Sequence, residues 1–61
     1  MATFAERLKS LRREKSWSQQ RLADELELSK SSVNMYERGE REQGFETMEA
    51  IADLFNVDMN Y

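Results

Sequence analysis

The chain has 61 residues, of which 39% are hydrophobic and 34% charged, and a formal charge of −3. That is the size of one domain with a small core. It contains no Cys and no His, which excludes disulfides, finger-type zinc sites and Ser-His-Asp or Cys-His catalysis.

Helix one is expected to begin after Thr3. Thr3 and Glu6 have the capping-box spacing, in which each side chain satisfies an orphan backbone amide. Phe4, Leu8 and Leu11 follow at i, i+4 and i+7, a helical stripe. Basic residues near Lys15 suit the negative end of a helix and set its stop there. Helix two is expected after Ser18, a good N-cap. Trp17, just before that cap, and Leu22, four positions after it, have the hydrophobic-staple spacing. Trp17 is assigned to packing rather than to stacking on a ligand. Leu22, Ala23 and Leu26 make the buried face.

Helix three repeats the device with Leu28, the cap Ser29 and Val33. Two such starts so close together leave only a tight turn at about Leu26–Leu28. Gly39 supplies a helix stop after Arg38. The polar loop of residues 39–44 leads to helix four, with Gly44 as N-cap. Phe45, Met48, Ile51, Ala52 and Phe55 are its apolar stripe. Val57 and Asp58 read as the start of a fifth helix that would run past Tyr61. The expectation is a piece cut from a longer protein, or an end that closes on a partner. No apolar run reaches membrane-spanning length and no signal peptide is evident.

Charge is unevenly spread. Residues 1–38 carry eight basic and six acidic groups, a balance of +2, whereas residues 39–61 carry Arg41 against six acidic groups, −5. Such a molecule can turn a basic face to phosphate, although ordinary solvated surface charge gives the same count. Two short helices joined by a three-residue turn match the helix-turn-helix plan, whose second helix can lie in the DNA major groove. On a wheel of about 100° per residue, Tyr36 and Glu37 fall within roughly 60° of Val33 and share its inward face. Lys30, Ser31, Asn34, Met35 and Arg38 turn outward. Lys can donate to guanine, Asn can pair with adenine, and Met35 can press on a thymine methyl. A solvated helix face without a ligand fits the same pattern.

The segment QQRLADELELSKSSVNMYER, residues 19–38, resembles the helix-turn-helix of the phage lambda repressor and Cro-like superfamily. The stretch SKSSVNMYERGER, residues 29–41, looks especially like repressors of Gram-positive bacteria and their phages. The leading FAERLKSLRREKSWSQ and trailing FETMEAIADLFNVDMNY are similar to the flanking helices of the same family, so the resemblance spans nearly the whole chain. It implies an all-α fold, a compact bundle of four to five helices over residues 1–61. It implies packing roles for Ala23 and Val33. It implies base readout by Lys30, Ser31, Asn34 and Met35, with Ser29 and Ser32 as base or phosphate contacts. Gln19 is expected to bind a phosphate or an outer base. Tyr36 is expected to pack its ring inward and turn its hydroxyl to the DNA backbone. Arg38 and Arg41 are further backbone contacts, and Arg38, Arg13 and Lys9 are the free cations nearest the DNA face.

This sequence departs from the family in two places. Glu27 stands at the turn position usually held by Gly, where a left-handed backbone would cost Glu roughly 1 kcal/mol. Gln43–Gly44 stands where relatives often carry Pro. Glu37 points inward on the wheel, and a buried carboxylate needs a partner. The family pairs it with an Arg near the end of helix one, which is Arg12 here, so a structural Arg12–Glu37 pair is expected.

The functional expectation is sequence-specific binding of double-stranded DNA by a transcriptional regulator of phage or prophage repressor type. It would act in the cytoplasm, as a homodimer formed on an inverted repeat of DNA or through a missing C-terminal region, without metal or cofactor. The alternative is an antitoxin or protein-interaction module on the same fold, using the acidic second half. No nucleophile–base pair, phosphate loop or metal-ligand set is evident, so an enzyme is not expected.

Overall fold

The computed structural model describes residues 3–58. Four helices follow one another: α1 (Phe4–Glu14), α2 (Gln19–Leu26), α3 (Lys30–Glu37) and α4 (Phe45–Phe55). Three begin at the expected side-chain caps. The Thr3 hydroxyl accepts from the Glu6 amide at 3.2 Å, and the Glu6 carboxylate accepts from the Thr3 amide at 3.1 Å. The Ser18 and Ser29 hydroxyls accept from the Arg21 and Ser32 amides at 3.0 and 3.1 Å. Each bond satisfies one amide that the helix itself leaves unpaired. Gly44 begins α4 without a side-chain cap.

Every helix feeds the same core. Leu8 comes from α1, Leu22 and Ala23 from α2, Val33 and Tyr36 from α3, and Ile51 and Phe55 from α4. α3 sits at the centre of this arrangement, packed on both α1 and α2, while α4 closes over α2. Trp17 packs against Phe55 with its ring tilted by 43° and centroids 5.6 Å apart, and Phe4 meets Tyr36 edge-on at 6.2 Å. Fully burying a side chain of Leu or Val size contributes about 1.5–3 kcal/mol, so these few residues carry most of the stability. Phe45 is a correction to the expected apolar stripe of α4: it is 76% exposed. The helical period holds from Met48 onward, but Phe45 is the first residue of α4, and none of the described residues buries its ring. The fifth helix expected beyond Asp58 lies outside the described residues. No helix among the described residues is long and apolar enough to cross a membrane.

All four helices stop in the same way. Ser16, Glu27, Gly39 and Asn56 adopt left-handed backbone, with φ of 59°, 56°, 72° and 53°. After each, the chain turns back so that the next amide reaches a carbonyl in the last turn. Trp17 donates to Arg12, Leu28 to Ala23, Glu40 to Met35 and Val57 to Ala52, at 2.8–3.1 Å. These are Schellman closures, which satisfy carbonyls the helix end would otherwise orphan. Only one of the four turn residues is Gly. A Cβ on Gly39 would meet nothing nearer than Ala5 Cβ at 3.9 Å, so its role there is conformational. Replacing Glu27 with Gly removes the left-handed strain but gives back chain entropy on unfolding. The expected net stabilisation is at most about 0.5 kcal/mol, read as a slightly higher denaturant midpoint at unchanged slope.

α1 and α3 are tied by one ion pair. The Arg12 guanidinium donates from Nε to Glu37 Oε2 at 2.7 Å and from Nη2 to Glu37 Oε1 at 3.1 Å. Its remaining Nη1 donates to the Trp17 carbonyl at 2.7 Å, which fixes the α1–α2 connection as well. The side chains are 12% and 2% exposed. A forked pair of this kind is directional and poorly screened by solvent. Removing either partner leaves the other buried and uncompensated, at a cost of about 3–5 kcal/mol. A double-mutant cycle with Arg12→Met and Glu37→Leu should show a coupling of about 1–3 kcal/mol. Additive losses would mean that the contact is incidental.

Candidate nucleic-acid interface

α2 and α3 are joined by only three residues, Glu27, Leu28 and Ser29. Ala23 of α2 and Val33 of α3 are both fully buried, and Ala23 has no side chain beyond Cβ, so the two helices approach closely. The left-handed Glu27 makes the sharp bend, and Leu28 packs against the core beneath it. Burying Val33 and Tyr36 on one side of α3 leaves the other side facing out. Lys30 and Ser31 are exposed there, while Ser32, Asn34 and Met35 are half-buried. The four residues expected to read bases therefore share one turn-and-a-half of helix, opposite the core.

Hydroxyl and guanidinium groups surround this face. Ser29 donates its hydroxyl to Ser32 Oγ at 3.0 Å. Arg41 arches back from the following loop and donates to the same Ser32 oxygen at 3.2 Å. Its guanidinium lies 5.5 Å above the Tyr36 ring, a cation–π contact that holds it beside α3. Tyr36 keeps its ring in the core, 5% exposed. Arg38 is exposed as expected but is not a free cation: it pairs with Glu40 at 3.0 Å. Both partners are solvated, so the pair is weak and an anion can compete for it. Arg13 and Lys9 are exposed on α1.

Gln19, expected at a phosphate or an outer base, also makes contacts inside the protein. Its amide nitrogen donates to Glu37 Oε1 at 3.2 Å and to Asn34 Oδ1 at 3.3 Å. Both N–H groups of the side chain are thus engaged inside the protein. The spacing of Gln19, Asn34 and Glu37 in the sequence does not announce this network, because its members lie on two different helices. Arg21 was likewise not singled out in the sequence. It lies 4.9 Å over the Trp17 ring and pairs with Glu25 at 2.9 Å. Among the described residues no group of three or more acidic side chains could hold a metal ion. What the site can do is donate: ammonium, guanidinium, amide and hydroxyl groups converge on one helical surface.

The geometry agrees with what the chain is similar to. The helix-turn-helix family model matches residues 8–61. Among curated proteins of Bacillus subtilis (strain 168), the chain is 34% identical over 58 residues to the uncharacterised HTH-type transcriptional regulator YqaE, covering 95% of this chain and 50% of that protein. It is 34% identical over 58 residues to YonR, an uncharacterised SPbeta prophage-derived HTH-type transcriptional regulator, covering 95% and 54%. It is 43% identical over 52 residues to the HTH-type transcriptional regulator AnsR, covering 85% and 45%. The chain spans about half the length of the curated relatives it matches. No solved structure gives a significant match. With the family model matching most of the chain and α2 and α3 forming the motif itself, the chain belongs to the helix-turn-helix family of the lambda repressor and Cro-like superfamily.

Proposed function

We propose that this chain is the DNA-binding domain of a transcriptional regulator of phage or prophage repressor type, and that α3 reads the major groove of double-stranded DNA. The observation that carries this reading is the outward face of α3. Lys30, Ser31, Asn34 and Met35 stand there together, flanked by Arg38 and Arg41. The family match and the prophage origin named for YonR support it.

On this reading, Lys30, Ser31, Asn34 and Met35 contact base edges and supply sequence choice. Ser29, Ser32, Arg38 and Arg41 contact phosphates and supply affinity and register. Tyr36 serves mainly by positioning Arg41, since its ring is buried. A phosphate near the start of α2 would meet the helix amides rather than the Gln19 side chain. One such helix makes few base contacts, so a homodimer on an inverted repeat, with half-sites about one helical turn apart, is the arrangement that reaches useful affinity. DNA as the ligand puts the site of action in the bacterial cytoplasm. The domain would be one part of a longer regulator, as the greater length of its relatives suggests. The uncovered Phe45, next to Glu42, Glu46 and Glu49, favours a second reading as a protein-interaction module.

Selection of bound duplexes from a random pool at low salt separates the two. The expected result is an enriched motif, as an inverted repeat for a dimer or a single half-site for a monomer. Affinity for that motif should fall steeply with salt, with a log–log slope of about −4 to −5 for four to six phosphate contacts. Arg41→Ala should weaken all sequences alike and reduce that slope by about one, whereas Lys30→Ala should relax preference at particular bases. A folded protein that enriches no sequence would favour the interaction module.

A further inference from the structure

Four side chains on three helices form a run of hydrogen bonds whose direction is forced at each link. Arg12 has only N–H donors, and it donates to both oxygens of Glu37. Glu37 Oε1 therefore sits among donors, and a neighbouring carboxamide must turn its nitrogen towards it. Gln19 does so, at 3.2 Å. The second N–H on that nitrogen then reaches Asn34, which has to answer with its oxygen, at 3.3 Å. Asn34 is left with Nδ2 as its outward end. No buried polar side-chain atom among the described residues lacks a partner, and Nδ2 donates to none of them, so it opens to solvent.

We propose that Asn34 meets DNA as a hydrogen-bond donor, and that Gln19 is the positioning residue that keeps it one. The ion pair between α1 and α3 thereby sets which bases the recognition helix accepts at one position. A donor there fits an acceptor-bearing edge: purine N7, guanine O6 or thymine O4. It is refused by cytosine, which presents its own N4 donor. A free asparagine could rotate its carboxamide and tolerate either. The inference rests on the reading of α3 as a recognition helix and adds the polarity of one contact to it.

The full chain, Asn34→Asp and Gln19→Met are compared by selection from a random duplex pool, reading base preference at each position rather than overall affinity. The unaltered chain should disfavour cytosine at one position by roughly fivefold or more, near the lower end for a good side-chain–base contact. Asn34→Asp keeps an inward oxygen for Gln19 but replaces the outward donor with an acceptor. Its preference at that position should turn towards cytosine, with the rest of the motif unchanged. Gln19→Met removes the clamp at similar side-chain length, and preference at the same position should fall below about twofold. The proposal is overturned if Asn34→Asp retains the original preference everywhere. It is also overturned if Gln19→Met weakens all sequences evenly, as a packing or phosphate role would.

A second measurement needs neither DNA nor a variant. In the free protein, the side-chain amide protons of Gln19 should exchange slowly with water and those of Asn34 quickly. The opposite order would overturn the assigned polarity. If the expected order is found but no DNA sequence is selected, the reading of α3 fails, and the DNA role of Asn34 fails with it, while the network stands.

Discussion

The forked contact between Arg12 and Glu37 is the constraint on which the rest of this small fold depends. It joins α1 to α3 across the core and holds the Trp17 carbonyl at the α1–α2 connection. Two well-packed apolar side chains could contribute as much stability, since desolvation offsets much of the attraction between buried charges. They could not impose direction. A guanidinium can only donate and a carboxylate facing it can only accept, so every polar neighbour has its orientation chosen for it. Gln19 and Asn34 inherit that choice. The interior of the bundle is in this way connected to the chemistry its surface presents.

A domain of this size, without disulfide or metal, has little margin in its core. The chain compensates at its helix ends. Three side-chain caps and four closures into left-handed turns leave few backbone groups unpaired. The cost falls on Ser16 and Glu27, which hold a backbone conformation better suited to Gly. At Glu27 the strain sits in the turn between α2 and α3, so the geometry of the motif is maintained against a local preference by the packing of Ala23, Leu28 and Val33 around it.

The parts that were legible in the sequence are those governed by short spacing. Thr3 with Glu6, Ser18 and Ser29 mark helix starts because their partners lie three residues away. The inward face of α3 follows from period alone, and Glu37 on that face demanded a cation. Residues 19–41 then identified the family. The stops near Lys15, at residues 26–28 and at Gly39 were legible, but the left-handed backbone of Ser16 and Asn56 was not, since Ser and Asn are not specific to such turns. Phe45 misled because period describes a helix face but not how far its neighbours extend. The internal contacts of Gln19 were not legible for a related reason. Its partners lie 15 and 18 positions away on another helix, and only the assembled fold brings them within reach. Arg38 was legible as exposed but not as paired, because a solvated contact with Glu40 depends on loop geometry.

Arg38 and Arg41 differ in a way that bears on binding entropy. Arg41 is already held in place, resting on Tyr36 and bonded to Ser32 through one of its five N–H groups. The other guanidinium donors remain outside that bond. Freezing a long side chain on association costs about 0.5–1.5 kcal/mol, and on the proposed reading these contacts would reduce that cost for Arg41. Arg38, paired with a solvated Glu40, would on the same reading have to exchange partners on contact. Of two cations that look alike in the sequence, one is therefore a preset anchor and the other an adaptable one. On the proposed reading of α3, the anchored guanidinium would set where a phosphate lies, and Arg38, held only by a solvated partner, would adjust to the duplex.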